Sequence, residues 1–124
     1  MSVNLNNSYF DLSYLNQVFQ GNRDLINQII SLFLDQVPGY ISEMEMKISE
    51  GKPGELHPLA HKAKSSIAML GMKSMEQLVL VIEFNSKNQR DMDKLPAMVK
   101  ELVRMNEDAC GHLREWMMRS SSAA

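Results

Sequence analysis

Residues 57–72 read His57-Pro58-Leu59-Ala60-His61-Lys62-Ala63-Lys64-Ser65-Ser66-Ile67-Ala68-Met69-Leu70-Gly71-Met72. Wound at about 100° per residue, Leu56, Leu59, Ala60, Ala63, Ile67 and Leu70 share one side of a helix, and that broad apolar stripe belongs in a core. His57, His61, Lys64, Ser65 and Ala68 collect on the opposite side, with His61 roughly 160° from the centre of the stripe. The spacing predicts a water-facing histidine among small residues and a lysine, on a helix that starts between Gly54 and Pro58 and closes at Gly71.

The same apolar spacing recurs on both sides of this segment. Upstream, Leu25, Ile26, Ile29, Ile30, Leu32, Phe33, Val37, Ile41, Met44 and Ile48 repeat at threes and fours from Asn22 to Gly51. The register runs through Pro38-Gly39, which predicts one long kinked helix or two nearly collinear ones. Before it, Leu12, Leu15, Val18 and Phe19 form a short helix capped by Asp11 or Ser13 and stopped at Gly21. Downstream, Met75, Leu78, Val79, Val81 and Ile82, with Phe84 as a further candidate, build a helix that fades over 85–88 and has a weak capping signal in Lys73-Ser74-Met75-Glu76. A last helix follows Asp91 or Asp93 and carries Leu95, Met98, Val99, Leu102, Val103, Met105, Ala109, Leu113 and Trp116, with Gly111 as a soft spot.

Four substantial amphipathic helices joined by short polar turns must run antiparallel to their neighbours. The expected fold is all-α, an antiparallel up-and-down four-helix bundle with a short additional N-terminal helix. A chain of 124 residues, 44% of them hydrophobic, is long enough for one domain with a real core. Residues 1–10 and 120–124 read as tails. Eleven methionines against four Phe, three Tyr and one Trp suit helices packed with flexible unbranched side chains.

A net charge of −2 gives no electrostatic reason to bind nucleic acid or an anionic membrane. No apolar run approaches the ~18 residues of a membrane span, and the polar stretch 1–7 lacks signal-peptide character. The expected location is cytoplasmic, in keeping with a single cysteine, Cys110, which reads as a small buried hydrophobe.

A metal site would need about three or four ligands. His57 and His61 stand one turn apart, but His112 lies on another helix and Lys62 and Lys64 add positive charge, so no metal ligands are assigned. Ser65 and Ser66 lack the turn and the histidine-carboxylate pair of a hydrolase nucleophile. Phosphoryl chemistry asks less. An exposed neutral imidazole is a competent nucleophile near neutral pH, and Lys64 can reach phosphoryl oxygens as a point charge. Without a phosphate-binding glycine loop the chain is not expected to be a kinase.

Ala60-His61-x-x-Lys64, the small pair Ser65-Ser66 and the closing Leu70-Gly71 resemble the histidine-containing phosphotransfer (HPt) domains of multistep two-component phosphorelays. Leu32-Phe33-Leu34 and Ile82-Glu83 extend the similarity, which runs from about Leu12 to Leu113. The resemblance implies a phosphorelay carrier, not an enzyme with its own ATP site. His61 would be the phosphoacceptor and Lys64 would stabilise the phosphoryl group. His57, Lys62, Ser65, Ala68 and Met72 would form the receiver-docking rim. Partners would be response-regulator receiver domains, including that of a hybrid histidine kinase. The chain would be a monomer needing no cofactor of its own, the divalent cation residing in the receiver. Ser65 stands where the family commonly has glycine, and either crowds the partner or hydrogen-bonds the phosphate. Glu83 reads equally as an exposed carboxylate or as a helix-helix hydrogen-bond partner. The reading from another class is an adapter bundle that docks signalling partners without carrying phosphate.

Overall fold

The computed structural model describes residues 12–122. Within them the chain forms α1 (Leu12–Val18), α2 (Arg23–Ser49), α3 (His57–Met69), α4 (Lys73–Asn88) and α5 (Leu95–Ser122), with short 3₁₀ turns at Pro53–Glu55 and Met92–Lys94 leading into α3 and α5. Helices α2 to α5 pack as a closed ring in which each touches its two sequence or end-to-end neighbours, α3 against α4 most extensively. This is the bundle that the spacing predicts. The readings of Tyr9, Phe10 and Asp11 lie outside the described residues. Helix α1 begins at Leu12, so Ser13 falls within its range. At the other end α5 continues to Ser122, three residues into the stretch read as a tail.

The Asn22 side chain accepts the Leu25 N–H at 3.1 Å and caps α2, with Asp24 in the first turn and Lys47 in the last, the signs that favour the helix dipole. The helix passes through Pro38 without interruption. Its buried residues Ile26, Ile30, Phe33, Val37, Ile41 and Met44 explain why: an interior proline costs about 3 kcal/mol or more, whereas each large apolar side chain buried along the continuous stripe contributes about 1.5–3 kcal/mol, and together the six outweigh it. At 1.5 Å per residue, α2 and α5 are about 40 Å long and the α3–α4 hairpin roughly half that. The hairpin therefore covers one half of the long pair, and Leu15 of α1 is buried in the same core.

Two helices end in the same way. Gly51 adopts φ +72° and Gly71 φ +70°. In each case the glycine N–H bonds back three residues, and the next N–H bonds back five, Lys52 to Lys47 at 2.8 Å and Met72 to Ile67 at 3.3 Å. The motif brings the residue after the glycine back onto the last turn. Met72 consequently sits fully buried beside Ile67 in the core, which corrects its assignment to the exposed rim. Helix α4 starts directly after it with no side-chain cap, so the Lys73–Glu76 capping signal is not realised.

Among the described residues no helix is long and apolar enough to cross a membrane. Cys110 is buried, donates to Asn106 Oδ1 at 3.6 Å and has its thiol pushed up by burial, as a packing residue would.

Candidate functional site

The candidate site lies on the α3–α4 hairpin, and its foundation is a serine. Ser86, buried near the end of α4, accepts the His57 N–H at 3.1 Å and donates to the Pro53 carbonyl at 2.8 Å. His57 opens α3 and Pro53 opens the 3₁₀ turn that leads into it, so one hydroxyl pins the approach to α3 and its first residue against the end of α4. From there Leu59, Ala60, Ala63 and Ile67 turn into the core. Ala60 and Ala63 are fully buried on this face, and the most extensive contact α3 makes is with α4.

That packing turns His61 outward with 66% of its side chain exposed. It also places Glu83 of α4 beside it. Glu83 Oε2 lies 2.8 Å from His61 Nδ1, and Oε1 accepts a hydrogen bond from Lys64 Nζ at 3.1 Å. One carboxylate, itself only 18% exposed, therefore spans the histidine and the lysine one turn along. Burial opposes ionisation of Glu83, but the hydrogen bonds and charges of Lys64 and His61 outweigh it and hold the carboxyl below its usual range.

The consequence for His61 follows from donor and acceptor inventory. An ionised carboxylate can only accept, so the 2.8 Å contact requires the proton on Nδ1. In the neutral ring Nε2 is then unprotonated and carries its lone pair on the edge away from Glu83. The arrangement presents a single nucleophilic nitrogen to solvent from a rigid support.

The other residues singled out in the sequence divide around the ridge of α3. His57 is half-buried where the helix begins, and Ala68 is partly exposed farther along the same flank. Ser65 is exposed on the crest. Lys62 projects to the opposite flank, its Nζ 5.8 Å from the centre of the Tyr40 ring on α2. Met69 is exposed, whereas Met72 and Met75 are core residues. Glu83 is the residue that sequence reasoning left undecided. Its signal was Ile82-Glu83, a core position followed by a carboxylate on the flank facing α3. Among the described residues no three His, Cys, Asp or Glu side chains are grouped to hold a metal ion.

Fold and site define a helical bundle that displays one histidine, oriented by a carboxylate, from the middle of a helix. The Hpt domain family model matches residues 28–115, most of the chain and all of the hairpin, and the protein belongs to that family. Hpt domains are phosphocarriers rather than kinases, and take part in histidine phosphotransfer with receiver domains in phosphorelays. No curated protein and no solved structure matches the chain.

Proposed function

We propose that His61 accepts a phosphoryl group from the aspartyl phosphate of one receiver domain and passes it to the aspartate of another. The observation that carries this reading is the His61 Nδ1–Glu83 hydrogen bond on a ring otherwise open to solvent. The Nε2 lone pair attacks phosphorus in line as the bond from phosphorus to the aspartyl oxygen breaks, and the carboxylate leaves with that electron pair. The ring, still protonated at Nδ1, becomes positively charged, and Glu83 stands 2.8 Å away to stabilise that charge. Transfer onward is the same step reversed. Lys64 neutralises the other Glu83 oxygen at rest and is one turn from the phosphoryl group, within reach of its oxygens. The receiver supplies the divalent cation and the remaining catalytic groups. The carrier works as a monomer in the cytoplasm, and its partners include the receiver of a hybrid histidine kinase.

The test uses a panel of purified receiver domains phosphorylated on aspartate with labelled phosphate. The chain is expected to take up label that is acid-labile and alkali-stable, and His61→Gln to take up none. Labelling of His61→Gln as strong as that of the parent would overturn the assignment. Binding of receivers without any label on the parent would make the chain an adapter instead.

A further inference from the structure

We infer that Ser86 is a positioning residue for His61, its hydroxyl capping α3 from the neighbouring helix and so holding the imidazole in the register at which Nδ1 meets Glu83. Its part in transfer rests on the carrier reading above, whereas its hold on the ring does not. The start of α3 has no cap of its own. Leu56 stands at the N-cap position and offers no side-chain hydrogen bond, and Pro58 in the first turn has no N–H to place. The His57 N–H, one of the donors that a helix start leaves without an internal partner, is taken up by Ser86 Oγ at 3.1 Å. The same hydroxyl donates to the Pro53 carbonyl at 2.8 Å, so its proton and a lone pair are both committed to the segment that enters α3. Ser86 is 1% exposed, and in a site this dry both bonds are stronger than they would be at the surface.

The cap bears on His61 because the two helices run antiparallel. One turn along α3 from His57 is His61, and one turn back along α4 from Ser86 is Glu83. The Ser86–His57 and Glu83–His61 hydrogen bonds are therefore successive rungs, about 5 Å apart. A rigid helix cannot shift at one rung and stay in place at the next. With side chains reaching about 5–6 Å from the axis, a rotation of about 20° carries a ring atom about 2 Å, enough to break a hydrogen bond of 2.8 Å. The other contacts hold this register less closely. Burial of Leu59, Ala60, Ala63 and Ile67 is non-directional, and Lys64 reaches Glu83 on a flexible four-carbon stem that follows a shift. His61 has only χ1 and χ2 with which to follow. Released from Glu83, its exposed ring has no partner that selects the Nδ1-protonated form, and Nε2 carries the proton in part of the molecules.

The first readout is two-bond 1H–15N NMR of the imidazole nitrogens, with no receiver present and at a pH where the rings are neutral. His61 is identified by its loss in His61→Gln. The parent is expected in the Nδ1-protonated form, Ser86→Ala in a mixture of both tautomers, and Ser86→Thr, which keeps the hydroxyl, in the parent form. The second readout is transfer from a phosphorylated receiver that labels the parent. Ser86→Ala should lower the saturated rate about threefold to tenfold, part of the loss expected on truncating Glu83 itself, and leave half-saturation within about twofold. Ser86→Thr should match the parent in both. Ile26→Val, a core truncation about 35 Å from the end of α2 that leads into α3, is the control: it lowers stability and should leave the tautomer alone. A parent without the Nδ1-protonated form, or a ring spectrum unchanged in Ser86→Ala whatever its unfolding midpoint, would overturn the assignment. So would threonine as displaced as alanine, or an equal shift in Ile26→Val. A shifted ring with an unchanged saturated rate would overturn the part in transfer. If Ser86→Ala does not fold, Ser86→Cys, of similar size with only a weak donor and acceptor, takes its place under the same outcomes. Failure of every receiver to label the parent would remove the carrier reading and leave the spectra to decide the hold of Ser86 on the ring.

Discussion

Glu83 divides its two oxygens between His61 and Lys64, and each half of that division has a separate consequence. The His61 half fixes a tautomer. Glu83→Gln keeps an acceptor for the Nδ1 proton but loses the charge, and Glu83→Ala loses both. Transfer rates should fall in that order, with alanine slower by on the order of ten- to a hundredfold, the range found when the partner that orients a metal-bound histidine is removed. Equal rates for all three in a labelled-transfer assay would remove Glu83 from the mechanism. The Lys64 half, together with His61, affects stability. Since the folded carboxyl is held below its ordinary value of 4.5, its contribution is fully present above that pH and is lost as pH falls through the lower folded value. Glu83→Gln should therefore lose less stability than the parent on going from neutral to acid pH, as read by urea denaturation. Parallel losses would contradict the sign.

At the level of the helices, the two ways of using glycine separate cleanly. Gly39 and Gly111 lie inside α2 and α5 with ordinary backbone angles, and a Cβ added at either meets nothing within 4 Å. Gly39→Ala and Gly111→Ala should each stabilise the protein by about 0.5–1 kcal/mol. Gly51 and Gly71 hold positive φ, so alanine at either should destabilise by about 1–2 kcal/mol. Denaturant unfolding of the four variants checks both signs. The sequence marked all four glycines but ranked Met72 by its place near the histidine, as if the helical face continued past Gly71. The turn at Gly71 breaks that face and folds Met72 back against Ile67. A three-dimensional return of this kind has no periodic signature. Pro38 is the converse case, where an uninterrupted apolar register outweighed a residue that breaks isolated helices.

For the molecule as a whole, the hairpin that carries His61 is held at its open end by contacts far apart in the chain. Ser86 reaches back to Pro53 and His57, and Lys47 at the end of α2 pairs with Glu55 at 2.9 Å. The exposed Lys47–Glu55 pair adds little. The buried hydroxyl matters more, because Ser86→Ala would leave a donor and an acceptor without partners, at a cost of about 1–3 kcal/mol. A midpoint of unfolding unchanged from the parent would show that water replaces the serine. What the sequence determined by itself was whatever depends on neighbours three and four residues away: the helices, the core face of α3, the outward histidine with Lys64 one turn on, and the bundle that short turns impose. What tertiary structure alone decided was which side chains from different helices meet. Glu83 could have faced solvent or α3 with the same local spacing. The packing of α3 on α4 set the distance at which its carboxylate reaches both His61 and Lys64.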